Sequence, residues 1–229
     1  MTGPPMPTVL ITGAGRGLGY ELARQYVADG WKVIGTVRNA KAKTALAKLG
    51  VDAPIADVTD RKSIARLAED LDDAPIDVLI CNAGIYGPRH QTFGKLDYAA
   101  WDEVLRVNLF GTTAIAEALL ENVAASERKV MVMMSSRLGS IAESRGGDYL
   151  YASSKAALNM IAKALSVALR TRGITVVSVT PGWVRTEMGG KSAPLAPETS
   201  IRGLRKVIAG LSMEKSGEFF SYDGSAVAW

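Results

Sequence analysis

A short apolar run, Thr8-Val9-Leu10-Ile11, stops at a glycine cluster, Gly13 to Gly19, and a helical pattern starts at once from Leu18. No other feature constrains the fold as much. An extended segment must turn into a helix within a few residues. Glycines allow that turn and leave the backbone amides at the helix start uncovered. The helical pattern runs to Ala28 and closes at Asp29-Gly30, a normal glycine stop. The same alternation then repeats. Strands are expected at 32–37, at 51–56 (weakened by Pro54), 77–81, 129–134 and 174–179, with a last one from Gly217 through Phe220 leading to an ordered tail ending in Trp229. Helices are expected at 41–49, 61–71, 98–125 and 151–170.

Strands that alternate with helices of this length build βαβ units and a mostly parallel sheet. Right-handed crossovers then close it as a doubly wound sheet. The expectation is one Rossmann-like α/β domain over residues 1–229, with a seven-stranded sheet in the order 3-2-1-4-5-6-7. No repeat, low-complexity tract or linker interrupts the chain. Gly189 to Pro197, with two glycines and two prolines, is the best candidate for a mobile loop over the sheet edge.

Composition excludes several classes. The net charge of +4 is spread along the chain without a basic run, so nucleic acid is not an expected partner. One cysteine, Cys81, forbids an internal disulfide, and one Cys with one His, His90, cannot build a usual zinc site. Met1 to Pro7 lacks the basic and apolar regions of a signal peptide, and no apolar run spans a bilayer. A cytoplasmic protein without membrane partners is expected.

The glycine cluster reads Thr12-Gly13-Ala14-Gly15-Arg16-Gly17-Leu18-Gly19. The common dinucleotide pattern G-x-G-x-x-G fails, because Leu18 occupies its third glycine position. The pattern that fits is T-G-x-x-x-G-x-G. It resembles the short-chain dehydrogenase/reductase family. The resemblance covers about residues 8 to 229. Segments around Gly139-Ser140-Ile141, Ser154 to Asn159 and Trp183 to Gly190 are similar to its carbonyl reductase subgroup of the C-factor and sniffer type.

A nicotinamide site that prefers NAD places an acid at the end of the second strand. Val37 stands there, followed by Arg38. A guanidinium at that position forks onto a 2′-phosphate, and Arg16 in the glycine loop is expected on the same side. Two arginines and no acid point to NADP(H). The resemblance adds contacts to the same cofactor from Gly13, Gly17, Leu18 and Gly19. It adds Asp57 and Val58 at the adenine, Asn82-Ala83-Gly84 after the fourth strand, and Pro181, Gly182, Val184 and Thr186 at the carboxamide. Cys81 reads as a small buried residue.

Tyr151-Ala152-Ser153-Ser154-Lys155 puts a phenol and an amine four residues apart, on one helix face. A phenol titrates near pH 10 and exchanges protons poorly at neutrality, and a neighbouring ammonium lowers that value. Tyr149 has no lysine at this spacing. The resemblance implies Tyr151 as general acid/base, Lys155 as its tuning partner and a hold on the nicotinamide ribose, and Asn108 as the residue that distorts a helix and holds a relay water. It also implies a serine that binds the carbonyl oxygen. Ser136 is the second of the pair Ser135-Ser136, but the gap to Tyr151 is longer than the family's usual spacing, so Ser140 stays open. Tyr86, Arg137, Tyr149 and Trp183 neighbour these motifs and are candidates to line a pocket for a small carbonyl or alcohol substrate.

A serine hydrolase needs a G-x-S-x-G elbow, which this chain lacks. The rival that remains is a non-catalytic NADPH-binding regulator or signalling protein of the C-factor kind. The family resemblance also implies a homodimer or homotetramer, joined through the two long helices.

Overall fold

The computed structural model describes residues 6–229. Residues 1–5 of the Met1 to Pro7 segment lie outside that range. Six parallel strands form one sheet: β1 (Thr8–Ile11), β2 (Lys32–Gly35), β3 (Val78–Cys81), β4 (Val130–Met134), β5 (Thr175–Thr180) and β6 (Phe219–Ser221). Their order is β2-β1-β3-β4-β5-β6. The step from β2 back across β1 to β3 reverses the winding, and a crevice opens there at the carboxyl ends of the strands.

The strands are buried on both faces, which is why they read as continuous apolar runs. Successive residues still sort strictly by face. Val9, Ile11, Val78, Ile80, Val130, Val132, Val177 and Val179 join one core. That core is closed by Leu22 and Tyr26 of α1 (Gly17–Ala28), Leu46 of α2 (Ala40–Ala47) and three residues of α8 (Pro197–Ala209). Leu10, Leu79, Met131, Met133 and Val176 join the other core. It is closed by α3 (Arg61–Leu71), α5 (Thr112–Ala118), α6 (Leu120–Ala124) and α7 (Tyr149–Ala168), with α4 (Tyr98–Leu105) running ahead of α5.

Three sequence expectations need correction. The sheet has six strands, not seven. The segment at 51–56 lies beside β2, where the third strand was expected, but pairs only through isolated bridges, Ile34 with Asp52 and Val37 with Ile55. Gly35 N–H donates to Asp52 O, Val37 N–H to Pro54 O and Ala56 N–H to Val37 O. The rung between them requires an N–H at position 54, and proline has none. The helix expected over 98–125 is broken at a π-helical turn, Arg106–Gly111, and again at Leu119. At Gly111 a side chain would meet Val58 O at 2.6 Å, so bare backbone packs there.

The third correction is α8, a helix that the reading by alternation passed over. Pro197 stands in its first turn, and Ile201, Leu204 and Ile208 are at most 2% exposed. Each such side chain contributes about 1.5–3 kcal/mol by burial. The spacing of these three is helical, and the proline start was a legible signal. At Gly203 of this helix, a Cβ would lie 2.2 Å from Tyr222 O. Gly203→Ala is expected to lower stability by about 1–3 kcal/mol, despite the better helix propensity of alanine. Urea denaturation of the variant beside the parent checks this; an unchanged midpoint would mean the backbone shifts without cost.

The tail is ordered. Trp229 stacks on Phe219 with ring centres 5.6 Å apart, and Ala142 N–H donates to Trp229 O. Among the described residues no helix is long and apolar enough to cross a membrane.

Candidate active site

The glycine loop leaves β1 and is stitched to the end of β3. The Thr12 hydroxyl oxygen accepts from Asn82 N–H (2.9 Å) and Ala83 N–H (3.0 Å). The Asn82 amide donates back to Thr12 O at 2.9 Å and Gly13 O at 3.3 Å. Asn82 and Ala83 therefore buttress the loop. Gly13 is in the left-handed region at φ 67°, against Ala83, and a Cβ at Gly19 would stand 2.3 Å from Gly13 O. A Cβ added at Gly17, at φ 56°, would meet nothing nearer than Thr186, at 3.9 Å. No side chain caps α1, so its first N–H groups face this crevice unpaired by a cap. Leu18 is half-buried against the core of the first face.

At the end of β2, Val37 is buried and touches the loop at Gly15, while Arg38 is exposed with no carboxylate partner among the described residues. Arg16 departs from expectation. Its guanidinium pairs with Glu187 in the segment that follows Thr186, rather than standing with Arg38. That segment brings an exposed acid across the glycine loop, and the opposite charges meet. The Asp57 carboxylate accepts from the Thr59 N–H (2.9 Å) and hydroxyl (2.7 Å). Val58 packs on Gly111.

Past the end of β4, Ser136 starts a short 3-10 turn, and its hydroxyl oxygen accepts from Leu138 N–H. It lies beside the Tyr151 phenol, close enough to pull the phenol's pKa down. Ser140 is buried and tied into its own loop by Glu143 N–H at 3.1 Å. Ser136 thus lies beside Tyr151, while Ser140 is held in its own loop. Tyr151 and Lys155 are on the buried face of α7, at 9% and 3% exposure. Lys155 Nζ donates to Met134 O at 2.8 Å and stands 5.7 Å from the Tyr151 ring centre. No carboxylate pairs with it among the described residues, and burial pushes its pKa down to about 8. Burial pushes the Tyr151 phenol up to about 12 and outweighs the pull of Ser136. The sequence led us to expect a lowered phenol; desolvation is the stronger effect here.

Asn108 lies in the π-helical turn, fully buried. Its carboxamide is held by Ile85 N–H (2.8 Å), Ile85 O (2.9 Å) and the Ser154 hydroxyl (3.0 Å). Gly84 leaves a gap between Asn108 and Lys155: a Cβ there would be 3.2 Å from Asn108 Oδ1 and 3.6 Å from Lys155 Nζ. Cys81 is buried and its thiol pushed up to about 12 by burial, so it is inert at neutral pH.

Of the four pocket candidates, Tyr86 is the one against the site. It stacks on Tyr151 with ring centres 4.5 Å apart, and its hydroxyl donates to Asp148 at 2.6 Å. Tyr149 packs on Phe93, Arg137 pairs with Glu143, and Trp183 is exposed, donating from Nε1 to Gly189 O. The loop at 189–197, expected to be mobile, is closely held. Val184 bridges Leu195, and Arg185 donates to Ala193 O and Pro194 O. Pro181 O takes the Ser200 hydroxyl, and Gly182 sits at φ 77° against Tyr222. Sequence reasoning passed over Asp148, Ser154 and Gly139. A Cβ at Gly139 would be 2.8 Å from the Lys155 backbone, so that glycine lets α7 approach. Only packing reveals these roles.

Comparison with known proteins agrees with this arrangement. The C-signal protein of Myxococcus xanthus is 41% identical over 156 residues, covering 68% of this chain and 93% of its own. The structure of the carbonyl reductase Sniffer of D. melanogaster superposes with a TM-score of 0.91 at 33% identity, over 98% of this chain and all of that one. NADPH-bound carbonyl reductase from chicken fatty liver superposes with a TM-score of 0.90 at 30% identity, over 99% of this chain and all of that one. The family model for short chain dehydrogenases matches residues 7–195. With the glycine loop, the Tyr151–Lys155 pair and the doubly wound sheet in one crevice, this chain belongs to the short-chain dehydrogenase/reductase family of oxidoreductases.

Proposed function

We propose that this protein is an NADP(H)-dependent carbonyl reductase with Tyr151 as its acid. One observation carries the proposal: Ser136, Tyr151 and Lys155 meet past the carboxyl end of β4, with Tyr151 and Lys155 buried and Lys155 near Gly84. The residues fit the cofactor. The uncapped start of α1 and the open space at Gly17 suit a pyrophosphate, and Arg38 beside the buried Val37 suits a 2′-phosphate. Arg16 reaches that phosphate by leaving Glu187. Thr186 lies next to the loop, with Val184 O accepting from its hydroxyl, and the two would hold the carboxamide. A carbonyl reductase relative bound to NADPH supports the same choice.

The bound dihydronicotinamide supplies hydride. The chain's own groups do the rest. Ser136 and Tyr151 donate hydrogen bonds to the substrate oxygen, where negative charge develops. Tyr151 passes its proton to that oxygen; raised by burial, the phenol is fully protonated at neutral pH. The Lys155 ammonium stabilises the phenolate that remains. Asn108 fixes Ile85 and Ser154 and so the floor of the site. Self-association belongs to the same reading: Met160 and Val167 are exposed on α7, and Phe110 on the π-helical turn.

Arg38→Asp is expected to shift the ratio of kcat/KM for NADPH over NADH toward NADH by about tenfold or more, the worth of one charge-assisted phosphate pair. An unchanged ratio sinks the assignment. The similarity to C-signal keeps a second reading in view, a dinucleotide-binding signalling protein. NADPH oxidation followed across ketones, aldehydes and quinones separates the two. Turnover supports the reductase, and tight NADPH binding without any turnover supports the signalling protein.

A further inference from the structure

The Tyr86–Tyr151 stack continues on its outer side. The guanidinium carbon of Arg89 lies 5.0 Å from the centre of the Tyr86 ring. Three groups thus stand in a row: a candidate acid, a second phenol and a cation. Two contacts hold the row. Tyr86 is tethered by its hydroxyl to Asp148, at the start of α7, and Arg89 donates from Nη2 to Met188 O, across the crevice. Each partner of Arg89 is neutral. No carboxylate comes within ion-pair distance of it among the described residues, although seven other arginines have one and the remaining seven, like Arg89, do not. Asp148, the acid that touches the stack, is engaged by Tyr86. A guanidinium carries five N–H donors in a fork that matches a carboxylate, and one contact to a backbone carbonyl leaves most of them unused.

We propose that Arg89 is a specificity-determining residue, and that this enzyme prefers carbonyl substrates that carry a carboxylate. The proposal rests on the reductase reading above. A substrate whose carbonyl oxygen meets Tyr151 would pass the edge of the Tyr86 ring, since Tyr151 and Arg89 stand over its faces. A carboxylate separated from that carbonyl by a benzene ring then reaches the Arg89 fork. The contact to Met188 O positions the guanidinium beforehand, so little side-chain entropy is lost when the anion arrives.

The test uses 4-carboxybenzaldehyde and its methyl ester with NADPH, on the full-length wild type and on Arg89→Met and Arg89→Lys. Arg89 is exposed and outside the catalytic machinery, so the variants keep the fold. The two aldehydes differ in intrinsic reactivity, and comparing the acid/ester ratio of kcat/KM between proteins cancels that difference. The ratio is expected to fall about ten- to hundredfold in Arg89→Met, the effect of one charge-assisted pair, with the ester rate unchanged. Arg89→Lys should keep part of the preference as a point charge. An acid/ester ratio equal in wild type and Arg89→Met overturns the proposal and leaves the reductase reading standing. No turnover of these or any other carbonyl by the wild type overturns both.

Discussion

Tyr151→Phe is expected to leave a folded protein that binds NADPH as tightly as the parent and reduces carbonyls between about a hundred- and ten-thousandfold more slowly. That is the usual range for loss of a general acid. The substitution removes one oxygen and little else. The ring stays in its slot on α7 and keeps its stack on Tyr86, so packing changes little. Ser136 remains to polarise the substrate oxygen, which accounts for the residual rate. NADPH fluorescence titration and NADPH oxidation, on the same preparation, check both halves. Turnover retained at the parent's rate would mean that another group supplies the proton. Lost NADPH binding would mean that the phenol is part of the cofactor site first.

Lys155→Met tests a trade of stability against function. Lys155 is buried without a counter-ion, and its folded pKa of about 8 lies below the ordinary 10.5. A depressed pKa stabilises the fold only above the unfolded value, and that stability is lost as pH falls through the folded one. At pH 7 the ammonium is charged in both states, and burying it costs about 3 kcal/mol. Methionine of similar shape avoids that cost but leaves Met134 O without its donor, at about 1–3 kcal/mol. The variant is therefore expected to be as stable as the parent or more so at pH 7. Between about pH 8 and 10.5 the parent gains on it by about 3 kcal/mol. Tyr26, pushed up to about 12 by burial, weakens both proteins alike above pH 10, and comparison at pH 7 and 9.5 stays below that range. Activity is expected to fall at least about a hundredfold, because nothing then stabilises the Tyr151 phenolate. Urea midpoints at pH 7 and pH 9.5 and one rate measurement decide it. A variant less stable at pH 7 by more than the lost hydrogen bond would show that the lysine is a structural asset.

Local chemistry made most of this legible. The junction of strand, glycines and helix at 8–28 and the alternation after it depend on near-neighbour rules: period, breakers and the freedom of glycine. Tyr151 and Lys155 share a helix face by spacing alone. The absence of an acid after β2 is likewise a matter of sequence. Where local rules met a competing contact, tertiary structure decided. Pro54 removed one donor and reduced a strand to two bridges. Val58 against Gly111 and the bonds of Asn108 to Ile85 and Ser154 surround the π-helical turn that interrupts a helix of unbroken apolar pattern. Arg16 turned to Glu187, a residue 171 positions away, for a charge no local rule could locate. Ser140 is held in its own loop by the Glu143 N–H, while Ser136 lies beside Tyr151, a difference the spacing left open. The sequence by itself determined the sheet's alternation, the glycine loop and the pairing of phenol with amine, since each depends on residues a few positions apart. Tertiary structure alone decided which way the long polar side chains point and how strongly burial shifts Tyr151 and Lys155, because desolvation and ion pairing depend on what distant segments bring to the same place.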